Sequence, residues 1–404
     1  MENHNKKTDS AGIVFGGIPQ IPTQEAIDGI RFDFNDGLRV VIPKDAKPYR
    51  IQFYDIDSES LIYETTTPQG GGCTVSSHKK YFIRFRLRIL EPANKSVLFT
   101  HDFDAKDKEV TVRFPVHTLG DSIGWFSYVE RFQEKLKCNL NCVVSSWFSE
   151  VVKKQYPALN FVTSENVEQI QSYANYNIGL WEIGNITHQP IDHRYVGLHR
   201  LAAYILGVDD TDIPPRFDLS YPRIIQEKYV CIGIQSTSLA KFWNNPHGWD
   251  RVVAFLKEKG FRVLCIDKES CCEKPGSYVR IPFGAEDFTG DKPLQERINI
   301  LKDASFFIGL SSGLSWLAWG CGIPVVMISG FTNPLNEFKN PYRVINYNAC
   351  NSCWNDLKDF DLADFWCCPR LAGTEHRFEC TAMISAEYVI KTIERLMSDK
   401  GIEL

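Results

Sequence analysis

Two nucleotide-binding motifs are missing from this sequence. Neither of its two series of alternating predicted strands and helices begins with a G-x-G-x-x-G fingerprint, and no G-x-x-x-x-G-K-[ST] phosphate loop occurs in the chain. These motifs supply the tight turns and free N–H groups that cradle dinucleotides and triphosphates. Their absence argues against hydride transfer and against ATP hydrolysis.

An excess of charge of one sign is also missing. The formal net charge is −5 over 404 residues, so the chain offers no bulk attraction to nucleic acid or to anionic lipid. The polar start, MENHNKKTDS, is followed by no apolar run of signal-peptide length. We therefore expect a cytoplasmic protein that binds neither nucleic acid nor membrane.

Formal charge is absent from residues 306–334, FFIGLSSGLSWLAWGCGIPVVMISGFTNP. A run of this length could be taken for a membrane-spanning helix. Pro324 and several glycines would interrupt such a helix. The pattern instead predicts a strand, a compact helix and a second strand within a buried parallel sheet.

The order of predicted elements divides the chain into four parts. Residues 1–108 contain a polar start and then β-rich runs that predict an antiparallel β domain. Strands and helices alternate in residues 109–215 and again in 216–345, which predicts two Rossmann-like α/β domains around a cleft. The proline-rich stretch TDIPPRFDLSYPRIIQE joins these two domains. Residues 346–404 hold a cysteine segment and a C-terminal helix.

Polar or small residues follow three predicted strands at the expected cleft. Asp121 lies at a strand-to-helix turn, where it could start the helix as a cap or accept a proton from an acceptor hydroxyl. Lys241 could be a surface charge or could face a leaving phosphate. Ser311, Ser312 and Gly313 precede a helix whose amino end could bind an anion. Lys241 and this helix end together suggest a diphosphate site.

The α/β series contain one Asp-x-Asp triplet, Asp210 to Asp212, and it stands at the start of the joining stretch, away from the strand ends that form the cleft. A divalent cation that bridges a nucleotide diphosphate is therefore not indicated. The charge of a leaving diphosphate would have to be stabilised by Lys241 and the helix amino end.

Cysteine, by contrast, is plentiful: the chain has 13, and five of them lie in CNSCWNDLKDFDLADFWCCPRLAGTEHRFEC, residues 350–380. Cys350 and Cys353 form a C-x-x-C pair, and a second pair must come from Cys367, Cys368 and Cys380. This spacing predicts a tetrathiolate metal site for zinc or a single iron. Four protein ligands leave a tetrahedral ion no position for substrate, so the site should be structural.

Several separated motifs resemble known glycosyltransferases. The stretch FFIGLSSGLSWLAWGCGIPVV resembles the nucleotide-diphosphate loop of ADP-heptose heptosyltransferases, which have the two-domain GT-B fold. The stretches HTLGDSIGWFSYVERF, QSTSLAKFWNN and GAEDFTGDKPLQERINIL, and WCCPR with FECT, are similar to the autotransporter heptosyltransferases, in the same order and over residues 30–395.

This resemblance implies a donor, an acceptor and two catalytic roles. The donor is ADP-heptose, and the acceptors are serine hydroxyls on an autotransporter adhesin passenger, modified before export. Asp121 matches the family's catalytic aspartate, and Lys241 matches the lysine on the donor diphosphate. The lipopolysaccharide branch usually has aspartate where this chain has Ser311. We also assign the following residues to the donor by position: Gln235, Thr237, Asp287, Thr289, Ser311, Ser312, Gly313 and Leu314.

The resemblance also concerns the metal and the assembly. Cys368 matches the family's CPR motif, which implies Cys350, Cys353, Cys368 and Cys380 as ligands and leaves Cys367 over. The resemblance favours iron over zinc. It also implies a large ring-like homo-oligomer, a dodecamer. No metal is expected in the transfer step.

Two other functions fit parts of the sequence. A lipopolysaccharide core heptosyltransferase would share the fold and the donor, although the β region and the cysteine segment argue against it. In a function of another class, the cysteines would organise a metal-ribbon protein-interaction module on an α/β scaffold.

Overall fold

The computed structural model describes residues 18–115, 118–163, 165–181, 184–274, 277–357, 368–371 and 373–402. Within these ranges the strands are β1 (Gln24–Glu25), β2 (Arg31–Asn35), β3 (Arg39–Lys44), β4 (Arg50–Asp55), β5 (Ser60–Thr66), β6 (Gly71–Ser76), β7 (Phe85–Leu90), β8 (Val97–Asp102), β9 (Glu109–Arg113), β10 (Asn139–Val143), β11 (Leu159–Val162), β12 (Ala174–Asn177), β13 (Tyr229–Gly233), β14 (Arg262–Cys265), β15 (Cys271–Lys274), β16 (Ser277–Arg280), β17 (Glu286–Asp287), β18 (Phe307–Leu310), β19 (Val325–Ile328) and β20 (Arg343–Val344).

Helices connect most of these strands. In the described residues the α-helices are α1 (Leu119–Leu136), α2 (Ser146–Val152), α3 (His193–Val196), α4 (Arg200–Leu206), α5 (Gly248–Glu258), α6 (Leu294–Leu301), α7 (Gly313–Gly320), α8 (Glu379–Ala382) and α9 (Ala386–Asp399). Short 3₁₀ helices lie at Lys153–Gln155, Val167–Gln169, Leu239–Lys241, Pro334–Asn336 and Cys353–Asn355.

The first half of the chain builds a mixed eight-stranded sheet and a separate antiparallel sheet. In the mixed sheet the order is β11-β10-β9-β12-β2-β3-β6, with β1 paired to β2. The strands β2 and β12 pair in parallel, with Phe34 opposite Ala174, so the α/β sheet continues into strands from before residue 108. The antiparallel sheet has the order β5-β4-β7-β8, as the β-rich runs predict.

The second half builds a parallel sheet of six strands in the order β17-β14-β13-β18-β19-β20. All five residues of β13 are buried, which explains why its sequence, YVCIG, is almost continuously apolar. The strand β16 does not join this sheet, because it pairs antiparallel with β15 in a hairpin. The sheet's outer position next to β14 is taken by β17 instead.

The uncharged run at 306–334 folds as its glycines and proline predict. It forms β18, α7 and β19, and the two strands pair in parallel. Within the described ranges, no helix is both long and apolar enough to cross a membrane.

The helices α1 and α7, from the two α/β domains, meet at the amino end of α7. A Cβ built on Gly313 would come within 2.8 Å of the Leu119 Cβ. Only a residue without a side chain fits here, so this glycine allows the start of α7 to contact the start of α1. The contact brings the strand ends of both domains to a common cleft.

Candidate active site

A cavity of about 1070 Å³ lies in this cleft. It is large enough for a nucleotide-sized ligand. Ligands of open α/β sheets bind beyond the carboxyl ends of the strands, and the lining includes the residues that follow β13, β14 and β18. Of the ten predicted catalytic and donor residues, eight line it: Asp121, Gln235, Thr237, Lys241, Ser311, Ser312, Gly313 and Leu314.

Asp121 lies in the first turn of α1 and does not begin the helix. Thr118 is the N-cap: its hydroxyl accepts the Asp121 backbone N–H at 3.3 Å and donates to Asp121 Oδ2 at 2.6 Å. Burial raises the pKa of Asp121 above its usual range, while this hydrogen bond and the charge of Lys241 lower it. A carboxylate with a raised pKa is a stronger base, provided that it stays ionised.

Lys241 ends a 3₁₀ turn and lines the same cavity, with its Nζ 6.0 Å from the centre of the Trp354 ring. Burial lowers the pKa of Lys241, and the negative charges of Glu337 and Asp121 raise it. Burial has the larger effect, so the pKa of Lys241 lies below its usual range, and the two carboxylates limit this fall. An anion bound in the cavity would stabilise the charged lysine further.

The start of α7 forms another wall of the cavity. Ser312 is its N-cap, and the buried Ser312 Oγ has no hydrogen-bond partner. Because the first N–H groups of a helix also lack intrahelical partners, this end favours an anion. The Ser311 hydroxyl, by contrast, is already bonded to the Glu337 carboxylate.

Asp267 and Arg297 line a further part of the cavity, and the sequence analysis missed both. Asp267 is buried and accepts the backbone N–H groups of Ile234 at 2.7 Å and Gln235 at 3.2 Å. Burial raises the pKa of Asp267 to about 6. Its position directly after the apolar strand β14 was the available signal, since it matches the placement that drew attention to Asp121.

Two predicted donor residues lie outside the cavity lining. Asp287, on β17, accepts the backbone N–H of Thr289 at 2.9 Å and its hydroxyl at 2.6 Å. The residues that follow them, Gly290 to Leu294, do line the cavity. The donor role of Asp287 and Thr289 stays a prediction.

Glu337, Asn336 and Trp354 also line the cavity and were missed. Trp354 Nε1 donates to Asn336 Oδ1 at 3.1 Å. Trp354 directly follows Cys353, so the cysteine segment contributes to the wall of the cleft. No local pattern marks these three residues, because they lie in or beside two short 3₁₀ helices, Pro334–Asn336 and Cys353–Asn355, that meet only in the folded chain.

The cysteine segment packs beside the cleft. Cys353, Cys368 and Cys380 are buried, and Cys350 is partly buried. In the described part of the chain, no group of three or more His, Cys, Asp or Glu side chains is arranged to hold a metal ion. Cys367, the predicted spare thiol, lies outside the described residues.

The four thiols nevertheless influence one another. Burial raises the pKa of Cys353 to about 11 and that of Cys380 to about 12, and the other thiols of the group add to both shifts. Arg370 Nη1 donates to the Asn351 carbonyl at 3.3 Å, inside the C-x-x-C loop. Four neighbouring thiols with an arginine beside them fit the donor chemistry of a thiolate-bound metal.

Comparison with known proteins gives close relatives over nearly the whole chain. Residues 27–93 match the family described as glycosyltransferase TibC, N-terminal domain. The sequence is 46% identical over 389 residues to autotransporter heptosyltransferase TibC of Escherichia coli O78:H11 (strain H10407 / ETEC), covering 95% of each chain. It is 47% identical over 379 residues to autotransporter heptosyltransferase BAHTCr of Citrobacter rodentium, covering 94% of this chain and 91% of the relative.

Solved structures agree. The crystal structure of TibC, described as iron-containing and dodecameric, matches with a TM-score of 0.90 and 45% identity over 95% of this chain and 99% of that chain. Another TibC structure contains ADP-D-β-D-heptose. E. coli ADP-heptose lps heptosyltransferase II matches with a TM-score of 0.50 and 10% identity over 73% of this chain and 99% of that chain, which shows a shared fold. The predicted GT-B architecture is confirmed, and this chain belongs to the autotransporter heptosyltransferase family.

Proposed function

We propose that this chain transfers heptose from ADP-heptose to serine hydroxyls of an autotransporter adhesin passenger, with inversion at the anomeric carbon. One observation carries the proposal: a single cavity brings together Asp121, Lys241 and the amino end of α7 from three separate segments of the chain. A base, a cation and an anion-binding helix end are the groups that transfer from a nucleotide diphosphate requires.

The proposed reaction is a single displacement. The acceptor oxygen forms a bond to the anomeric carbon while the bond from that carbon to the diphosphate oxygen breaks, and Asp121 takes the hydroxyl proton. Lys241 and the first N–H groups of α7 stabilise the negative charge on the departing ADP. Ser312 Oγ, which is buried without a partner, is placed to donate to a diphosphate oxygen.

The adenosine part of the donor is assigned to the rest of the cavity. Gln235 and Thr237, which follow β13, and Asp267, which follows β14, line it there. Asp287 and Thr289 belong to the same proposal through the loop that continues into the lining.

The proposal extends to the metal, the assembly and the location of the protein. The iron-containing, dodecameric TibC structure supports a structural iron on Cys350, Cys353, Cys368 and Cys380, and a dodecamer of this chain. A bound metal would supply positive charge to four thiolates and would hold the segment that carries Trp354. We place the protein in the cytoplasm, where the passenger is found before export.

Family membership alone does not settle activity, because a relative from Burkholderia thailandensis, 38% identical over 382 residues, is named an inactive autotransporter heptosyltransferase. Activity therefore has to be measured on this chain. The names of two relatives, both autotransporter heptosyltransferases, favour a protein acceptor over lipopolysaccharide.

The test incubates the purified chain with ADP-heptose and a serine-rich passenger repeat and measures the mass of the repeat. We expect mass gains in whole heptose units, and none on a control repeat whose serines are replaced by alanine. An unmodified passenger together with a modified lipopolysaccharide core acceptor would contradict the proposal and support the lipopolysaccharide branch.

A further inference from the structure

A short segment of the second α/β domain, residues 335–339, is held by the first α/β domain at both of its ends. This bridging segment lies in the connection between β19 and β20. At its start, Gly197 packs so closely that a Cβ built on this glycine would collide with the Leu335 carbonyl oxygen. At its end, the Lys339 backbone N–H donates to Asp212 Oδ2 at 2.9 Å. The segment is therefore attached to both domains.

The bridging segment also forms part of the cavity wall. Asn336 and Glu337, which lie between the two attachments, line the cavity. Phe338 is buried, and its ring centre lies 5.1 Å from that of Trp316 and 4.9 Å from that of Trp319, both on α7. The segment thus packs on the helix whose amino end is the proposed anion site, while its backbone is bonded to the opposite domain.

Asp212 is itself held firmly on the side of the first domain. Its Oδ1 accepts His199 Nε2 at 2.8 Å and Arg200 Nε at 3.1 Å, at the start of α4. The residue before it is tied to α1, because Arg131 Nη2 donates to the Thr211 carbonyl at 2.7 Å. The carboxylate is therefore fixed relative to α1 and α4 where it reaches across to the bridging segment.

The contacts of Asp212 require an ionised carboxylate. Burial opposes ionisation, but hydrogen bonds from His199, from Arg200 and from the Lys339 backbone hold the pKa of Asp212 below its usual range. An ionised carboxylate accepts on both oxygens, whereas an asparagine of the same shape has one acceptor oxygen and an NH₂ group. Asparagine would therefore turn a donor toward one of the groups that Asp212 now accepts.

We propose that Asp212 is a positioning residue for the transfer step, which holds the bridging segment against the first domain and so sets the place of Asp121 relative to the bound donor. This inference rests on the proposed function of the cavity. Asp121 lies on α1, whereas Lys241 and Ser312 follow strands of the parallel sheet in the second domain. The direct contact of α1 with α7 fixes one point between the domains, and a second attachment limits rotation about it.

The experiment compares Asp212→Asn with the unchanged chain. Calorimetry with ADP should show little change in affinity or in binding stoichiometry, because the proposed donor groups lie on the second domain. The single-turnover rate of transfer from ADP-heptose to the serine-rich passenger repeat should fall by about 10- to 100-fold, since misplacement of reacting groups by about 1 Å can cost about 100-fold. Hydrogen exchange should become faster in the bridging segment, whereas β18 and β19 should keep their protection.

A matched control and a second pair of variants accompany this test. Asp210 precedes Asp212 by two residues, and its carboxylate accepts the Tyr204 hydroxyl at 3.2 Å within the first domain, so Asp210→Asn should keep the transfer rate. Lys339→Pro removes the backbone N–H and leaves the first-domain contacts of Asp212 in place, so it should reproduce the fall in rate. Lys339→Ala keeps this N–H and should transfer normally.

The inference is wrong if Asp212→Asn transfers at the normal rate. It is also wrong if ADP affinity or binding stoichiometry falls by the same factor as the rate, because Asp212 would then only stabilise the fold. Equal losses in Asp210→Asn, or a normal rate in Lys339→Pro, would likewise overturn it. Absence of transfer by the unchanged chain would instead contradict the proposed function, and this inference with it.

Discussion

The cleft and the cysteine segment both bury polar groups, but the neighbours of these groups differ between the two regions. In the cleft, Asp121, Glu337 and Lys241 line one cavity, and the negative charges of the two carboxylates raise the pKa of the lysine against the effect of burial. In the cysteine segment, the buried thiols of Cys353 and Cys380 have pKa values raised to about 11 and 12, and their near neighbours are further thiols. The cleft thus contains side chains of both charge signs, whereas the cysteine segment suits an added cation.

The two regions meet at Trp354. It follows Cys353 and donates from Nε1 to Asn336 Oδ1, and both residues line the cavity. A metal on the thiols would therefore affect the reaction by holding this wall, while proton transfer and leaving-group stabilisation remain with the cleft residues.

Removal of one thiol should have the largest effect on the molecule. We expect Cys353→Ser to lose the metal and to lower the free energy of unfolding by about 3–5 kcal/mol, since binding energy in thiolate sites is coupled to folding. Metal analysis and hydrogen exchange of residues 350–380 would measure this. Cys73→Ser, in the strand β6, is the control. Equal losses of metal and of stability in both variants would contradict a specific role of the cysteine segment.

Loss of the cleft cation should weaken donor binding next most strongly. Lys241→Met should raise the Kd for ADP-heptose by roughly 10- to 150-fold, because a charge-assisted contact contributes about 1.5–3 kcal/mol. Passenger affinity should not change. Lys268→Met removes another lysine of the lining, one that is exposed and 3.3 Å from Asp291, and should cost less. Equal donor affinity before and after Lys241→Met, measured by calorimetry, would refute the role of Lys241.

The smallest predicted effect concerns pH. If Asp121 is the proposed base, activity requires its ionised form and should be lost as pH falls through the pKa of Asp121. Thr118→Val removes the 2.6 Å hydrogen bond that lowers this pKa, so the acidic limb of kcat/KM should move to higher pH. It also removes the N-cap of α1, at a cost of about 1 kcal/mol in stability. Thr118→Ser should keep the original limb, and an unmoved limb in Thr118→Val would argue against Asp121 as the titrating base.

Local patterns were enough to predict much of the fold. The strands and helices of the second α/β domain follow from apolar runs and turn residues, as β18, α7 and β19 show. The pairing of β2 with β12 could not be predicted, because it joins residues about 140 positions apart, Phe34 and Ala174. This pairing depends on the packing of the whole sheet, and no pattern within either short strand predicts it.

The candidate site shows the same limit. Asp121, Lys241 and Ser312 follow the strands β9, β13 and β18 within about eight residues, and the carboxyl ends of such strands are where ligands bind. Glu337 and Trp354 are distant from Lys241 along the chain, and only the folded chain reveals that all three line one cavity.

The central claim is that the reaction depends on the Asp121 carboxylate. Its most direct test is a single-turnover measurement on metal-replete Asp121→Asn, with the affinity for ADP-heptose measured on the same preparation. We predict that donor affinity stays within a few-fold of that of the unchanged chain while the transfer rate falls by about 10²- to 10⁴-fold, the usual contribution of a general base. Transfer at a near-normal rate by Asp121→Asn would contradict the account.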